Sequence, residues 1–304
     1  MATSQVFVTG ATGTVGGALA RQLRAINLGV KTTTRNPDSA EAKALQAIGV
    51  EVIGGDWDDE HALNEAILGC QMIFINLYPV FNDASKELQQ AQNIIRIARA
   101  ARVKRVVYSS IFPVQDHANP DGPLAQVRKY KQRIEEEVSN AGFESWMILR
   151  PGFFMANFLR GKVLMYPGAT ETGVFTSAYR ADTRLPLIDP EDIAKFAIAA
   201  FQKPGAFNGK TIELAGEVLS FDESLHLLSN VAGRSLRGNY LSDEEIAKQM
   251  ATNPFLGSQI AARNMADLVN MDQVQSWGVP MGTFADFLQR ERVAVRETYR
   301  NVKE

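Results

Sequence analysis

Short apolar runs alternate with amphipathic segments through the first half of the chain. The runs predict strands at Gln5–Thr9, Val30–Thr34, Val50–Gly54, Met72–Leu77, Arg105–Ser110 and Ser145–Leu149. The apolar spacing between them predicts helices at about 14–27, 39–48, 59–68, 84–101 and 124–141. Such alternation builds right-handed βαβ units, hence an α/β fold with a doubly wound parallel sheet and helices on both faces. Its ligand crevice should lie at the carboxyl ends of the strands, near the reversal of strand order. From about residue 151 the pattern loosens into Gly/Pro-punctuated loops. Helices are predicted near 190–202, 221–232, 242–250 and 283–299, with a strand at Thr211–Ala215. Residues 1–150 are therefore expected to form the main domain. Residues 151–304 should form a smaller C-terminal α/β lobe for substrate, interleaved with the last elements of the sheet.

The first strand runs into Thr9-Gly10-Ala11-Thr12-Gly13-Thr14-Val15-Gly16. In a Rossmann turn of this kind Gly10 makes the tight turn, Gly13 leaves room for a pyrophosphate and Gly16 lets the helix pack closely on the sheet. The first N–H groups of that helix carry its positive dipole end, so a phosphate is a natural occupant. A glycine-rich turn can also be only a turn. Here the preceding strand is β-branched or aromatic, and Val15, Leu19, Leu23 and Ile26 repeat at helical spacing before Gly29, which favours nucleotide binding. Gly10, Thr12, Gly13, Thr14, Val15 and Gly16 are the phosphate-side candidates.

The second strand leaves through Thr34-Arg35-Asn36-Pro37. An NAD site normally offers an acid here to the ribose 2′-hydroxyl, whereas an arginine can pair with a 2′-phosphate, so the expected cofactor is NADP. The alternative is a solvated arginine at a strand end. After strand three, Asp56 could accept from the adenine amine, with Trp57 beside it, while the neighbouring acids cap the next helix. Asn76 and Leu77, at the exit of strand four, are expected near the adenine ribose and pyrophosphate by position.

A formal net charge of −2 gives no reason to expect nucleic acid or an anionic membrane as partner. The single cysteine, Cys70, excludes an internal disulfide and reads as a small buried hydrophobe in a reducing compartment. The N-terminus shows no leader, and no apolar run approaches the ~18 residues of a bilayer span, so the expected location is the cytoplasm. No His, Cys or acid cluster has metal-ligand spacing, so no metal is expected. A homodimer is left open.

VFVTGATGTVGG, TTTRNP, VIGGDWDD, RVVYSS and KQRIEEEVSNAGFESWMILRPGFFMANF together resemble the NmrA-like branch of the atypical short-chain dehydrogenases, which includes isoflavone-reductase-like enzymes and quinone reductases. The resemblance covers essentially the whole chain. It implies an NADP-binding domain with a small lobe over the nicotinamide, and a family divided in function. Some members pass hydride from NADPH to a carbonyl, quinone or conjugated double bond of a small, aromatic or polycyclic substrate. Others bind the cofactor without catalysis, as redox sensors acting through a protein partner.

Ordinary short-chain dehydrogenases use a tyrosine four residues before a lysine, and here that position is Val127, four before Lys131. On a helical wheel started at Val127, the apolar residues Val127, Tyr130, Ile134 and Val138 fall between about 300° and about 20°, and Lys131 at about 40°. Lys131 thus belongs to the buried stripe and wants a partner, either cofactor ribose hydroxyls or Glu135 one turn on. A snorkelling structural lysine is the alternative. The resemblance places Ser109 and Ser110 at a nicotinamide or substrate hydrogen bond. Pro151, Gly152, Phe153 and Phe154 would lie against the nicotinamide, with packing as the alternative. Phe154, Phe158 and Tyr166 read as pocket wall or core. His117, in the loop before the lysine helix, is a candidate proton donor or a surface histidine.

Overall fold

The computed structural model describes residues 4–80, 83–114, 122–250, 252–253 and 255–302; His117 lies outside them. Contacts divide the chain into two units: residues 1–111, 126–150 and 190–212, and residues 112–125, 151–189 and 213–304.

In the first unit strands and helices alternate as β1 Gln5–Val8, α1 Thr14–Ala25, β2 Gly29–Thr34, α2 Ala40–Ala47, β3 Glu51–Gly54, α3 Glu60–Ile67, β4 Met72–Ile75, α4 Ala84–Ala100, β5 Arg105–Ser109, α5 Pro123–Asn140 and β6 Ser145–Pro151. The described residues form a seven-stranded sheet in the order Lys210–Leu214, β6, β5, β4, β1, β2, β3. β1 pairs in parallel with both β2 and β4, so the strand order reverses beside it. β4 is buried along its whole length, as a parallel strand covered on both faces should be. Phe7, Ile73, Val106 and Ile148 from the sheet pack with Leu63, Ile67, Ile94 and Ile134 from the helices. Each predicted strand and helix of this unit appears within three residues of its expected limits, because long apolar periods fix them.

The second unit holds more strand than its sequence suggests. Glu217–Ser220, Arg184–Ile188 and Phe153–Phe154 form one small sheet, and Arg237–Tyr240 with Val174–Ser177 another. Their burial blurs the pattern: every residue of Glu217–Ser220 is only half-buried, and Arg237–Tyr240 alternates exposed and half-buried positions. The helix expected over 283–299 is two helices, Phe284–Arg290 and Arg292–Thr298. The break is at Glu291 (φ −91°, ψ 15°), next to Arg290, whose guanidinium grips Asp189 at 2.6 and 3.0 Å. Phe158, Tyr166, Phe175, Tyr179, Phe221 and Tyr299 build the aromatic core.

Candidate functional site

At the switch point Thr9 ties the ends of β1 and β4 together. Its hydroxyl accepts from Asn76 N at 2.7 Å and donates to Asn76 O at 3.1 Å. Gly10 then turns with φ +63°, a left-handed conformation that favours glycine. The turn closes by Gly13 N donating to Gly10 O at 2.9 Å. α1 starts on Gly13 with no side-chain cap. A Cβ on Gly16 would come within 2.8 Å of Thr9 O and nearer still to Gly10 O, so any other residue would push α1 off the strand end. Val15 is buried beneath the turn, while Thr12 is half-buried and Gly13 and Thr14 are exposed.

This turn borders a cleft of about 460 Å³ within the first unit, lined by Gly10, Thr12, Gly13, Thr33, Thr34, Arg35, Gly55, Asp56, Trp57, Asp58, Tyr78, Val80 and Gln90. A Cβ on Gly10 would lie 3.4 Å from Asn76 O and 3.9 Å from the Trp57 ring, which shows how closely the elements converge. Arg35 is exposed and makes no ion pair among the described residues. Thr33 Oγ1 is buried with no hydrogen-bond partner in the structure. The exposed guanidinium of Arg35 on the cleft wall fits a phosphate-bearing ligand, whereas the Thr33 hydroxyl is sealed from the cleft. Asp56 Oδ1 accepts from the N–H groups of Asp58 at 2.9 Å and Asp59 at 3.1 Å, so it shapes the loop as well as lining the cleft. Asp59 caps α3 through Ala62 N at 3.0 Å. Leu77 points into the core and could offer a ligand only its backbone.

Lys131 lies on the buried face of α5, as its helical phase predicts, but its partner is not Glu135. Nζ donates to Glu87 Oε1 at 2.6 Å, with side-chain exposures of 7% and 1%. Glu135 is taken by other groups: Arg150 Nε at 3.0 Å and the Ser110 hydroxyl at 2.6 Å both donate to its Oε1. A guanidinium outcompetes the flexible amine one turn back because it binds a carboxylate through two N–H groups. Burial pushes the Glu87 carboxyl above its ordinary range, against the pull of Lys131. The Lys131 Nζ also stands 5.9 Å from the centre of the Tyr108 ring. Tyr108 itself is sealed in the core, and burial holds its hydroxyl well above the usual tyrosine range. Val127 is buried, and Ser109 is buried at the end of β5.

Glu87 and Tyr108, which lie beside the Lys131 ammonium, and Thr33, which lines the cleft, were not among the residues singled out from the sequence. Glu87 left a signal: with Ala91, Ile94 and Ala98 it repeats at helical spacing, an acid on an apolar stripe.

In the second unit Gly152 N donates to Leu214 O at 2.8 Å, and a Cβ on Gly152 would run into Pro186 O. Pro151 is buried, and Phe153 and Phe154 are half-buried. The Lys162 Nζ lies 5.9 Å from the Phe154 ring centre, and burial lowers its proton affinity. Phe158 and Tyr166 are fully buried among Phe175 and Phe221. They form core here rather than open wall. Cys70 is buried, its thiol pushed up to about 12 by burial. Among the described residues no group of His, Cys, Asp and Glu could hold a metal, and no helix is long and apolar enough to cross a membrane.

The model of the NmrA-like family matches residues 2–281. The chain belongs to the NmrA-like family. Among its NmrA-like relatives, the NAD(P)H azoreductase of Xenophilus azovorans is 30% identical over 95% of this chain and 98% of its own. A solved structure of an NADPH-dependent quinone oxidoreductase from Escherichia coli is 25% identical, covers 94% of this chain and 98% of its own, and has a TM-score of 0.70. The negative transcriptional regulator NmrA, solved with NADP, shares the fold at a TM-score of 0.67 and 18% identity, over 100% of this chain and 93% of its own.

Proposed function

We propose that this NmrA-like protein is an NADPH-dependent oxidoreductase acting on a carbonyl, quinone or conjugated double bond of a small, aromatic or polycyclic substrate. The observation that carries the reading is the cleft wall at the end of β2, where Arg35 stands exposed with no ion pair among the described residues. A 2′-phosphate would pair with the exposed guanidinium. Gly10, Thr12, Gly13, Thr14, Val15 and Gly16 would hold the pyrophosphate, Asp56 and Trp57 the adenine, and Asn76 and Leu77 the ribose and pyrophosphate. Following the family resemblance, Ser109 and Lys131 would meet the nicotinamide half. NADPH, when bound, supplies the hydride. Lys131 would orient the ribose and polarise the acceptor oxygen or a relay water. Ser110 could only accept from a substrate, since its proton is given to Glu135. His117 is carried forward as a candidate proton donor. Both azoreductase and quinone oxidoreductase relatives use a reduced nicotinamide cofactor by name, which supports the reductase reading.

Purified protein mixed with NADPH and a panel of quinones, enones and aryl ketones should deplete the reduced-nicotinamide absorbance, and Lys131→Ala should abolish that loss. Val127 at the tyrosine position favours a second reading, an NADP(H)-binding regulator working through a protein partner. Tight NADPH binding with no consumption across the panel would select it.

A further inference from the structure

We propose that Glu87 is a positioning residue for Lys131: from α4 its buried carboxylate fixes the Lys131 ammonium at one point in the first unit, so the chain keeps an anchored cation where Val127 leaves no acid. The proposal rests on the reductase reading above. Glu87 and Lys131 each interrupt an otherwise apolar stripe, Ala91, Ile94 and Ala98 on α4 and Val127, Ile134 and Val138 on α5. Two apolar residues would pack such a helix contact at least as well, because desolvating an ion pair costs about what its attraction returns. Charge here therefore serves placement rather than packing.

The surroundings leave Lys131 to Glu87. Among the described residues, the groups facing the pair are Tyr108 from β5, whose ring lies against Nζ, and beyond it Glu135, which Arg150 of β6 neutralises. Lys86, next to Glu87 on α4, pairs instead with Asp58 at 2.8 Å. Burial of the carboxyl above its ordinary range means that moderate acid, milder than a solvated glutamate would need, protonates Glu87 and releases Lys131.

The test uses the full chain as wild type, Glu87→Gln and Glu87→Asp. In the ligand-free protein, amine acylation by acetic anhydride read by mass spectrometry should label Lys131 roughly tenfold faster in E87Q than in wild type, since only the uncharged amine reacts. With NADPH and p-benzoquinone, E87Q should lower kcat roughly tenfold and change the KM for NADPH by less than about threefold, and E87D should recover part of the rate. The wild-type rate should fall on the acid side with a midpoint above the ordinary glutamate range, and E87Q should lack that limb. Equal labelling of Lys131 in wild type and E87Q, or an unchanged acid limb, overturns the proposal. Should E87Q fail to fold, E87D labelling Lys131 faster than wild type with a reduced rate supports the proposal, and E87D showing wild-type labelling, rate and acid limb overturns it. A wild type that labels slowly but consumes no NADPH removes the reductase reading and the proposal with it. Turnover that E87Q leaves intact removes only the proposal.

Discussion

At the carboxyl end of β2, Arg35 is exposed without an ion-pair partner and Thr33 Oγ1 is buried without a hydrogen bond among the described residues. On α4 and α5 of the same unit, Glu87 and Lys131 are both buried and bonded to each other at 2.6 Å. The first region is unsatisfied, built beside a backbone turn whose φ favours glycine at Gly10 and whose close packing requires it at Gly16. The second is closed and satisfied, built wholly of side chains. A surface that takes a charged ligand leaves donors waiting for it, whereas a buried charge must find its counter-charge within the chain or remain neutral. Burial alone therefore does not separate a site from a scaffold.

The largest effect that would break this contrast is on stability. Glu87→Leu or Lys131→Met alone strands a buried charge and should cost about 3–5 kcal/mol, while the double variant should cost less than either single change. Urea unfolding of the four proteins measures the cycle, and additive losses would mean that the pair is not coupled. Next comes the backbone cradle: Gly16→Val must displace α1 from Thr9 O and Gly10 O. The overpacking should weaken NADPH binding by about 2 kcal/mol, roughly thirtyfold in calorimetry, and lower the melting temperature as well. Arg35→Ala should weaken NADPH about tenfold and leave NADH within experimental scatter, because only the phosphorylated coenzyme meets a charge-assisted bond there. Equal losses for both coenzymes would move the 2′-phosphate elsewhere.

Smaller still is Thr33→Val. Removing an unpartnered buried hydroxyl should stabilise the ligand-free chain by up to about 1 kcal/mol. A loss of stability would mean that the hydroxyl is already satisfied. The gentlest probe is pH. With its folded-state carboxyl above the ordinary range, Glu87 stays protonated in the folded chain after the unfolded chain has released its proton. Between the ordinary glutamate value and the raised one, wild-type stability should therefore fall with rising pH, and Glu87→Gln should flatten that slope. Unfolding midpoints at several pH values in that window would show it.

The first unit was legible almost throughout because apolar strands such as β4, buried along its length, alternate with helices long enough to carry their own period. α1, for instance, is marked by Val15, Leu19 and Leu23 and stopped by Gly29. The position of Lys131 on a buried face could be computed from helical phase alone. Its partner could not, since Glu87 lies 44 residues away and the local candidate, Glu135, looked equally suitable. The second unit's strands went unseen for a related reason: Arg184–Ile188 becomes a strand by pairing with Glu217–Ser220, a neighbour no local window contains. Phe158 and Tyr166 read alike as wall or core until Phe175 and Phe221 closed around them.

Local order in the chain determined the strand–turn–helix cradle, the arginine in place of an acid after β2, and the valine in place of a tyrosine before Lys131. Each depends on residues within a turn or two of one another, where backbone geometry alone sets the spacing. Tertiary structure decided which carboxylate holds Lys131, that Arg150 and Ser110 occupy Glu135, and that Thr33 is left without a partner. These are outcomes of competition among side chains brought together from distant segments, and distance, desolvation and geometry settle that competition only once the helices have packed on the sheet.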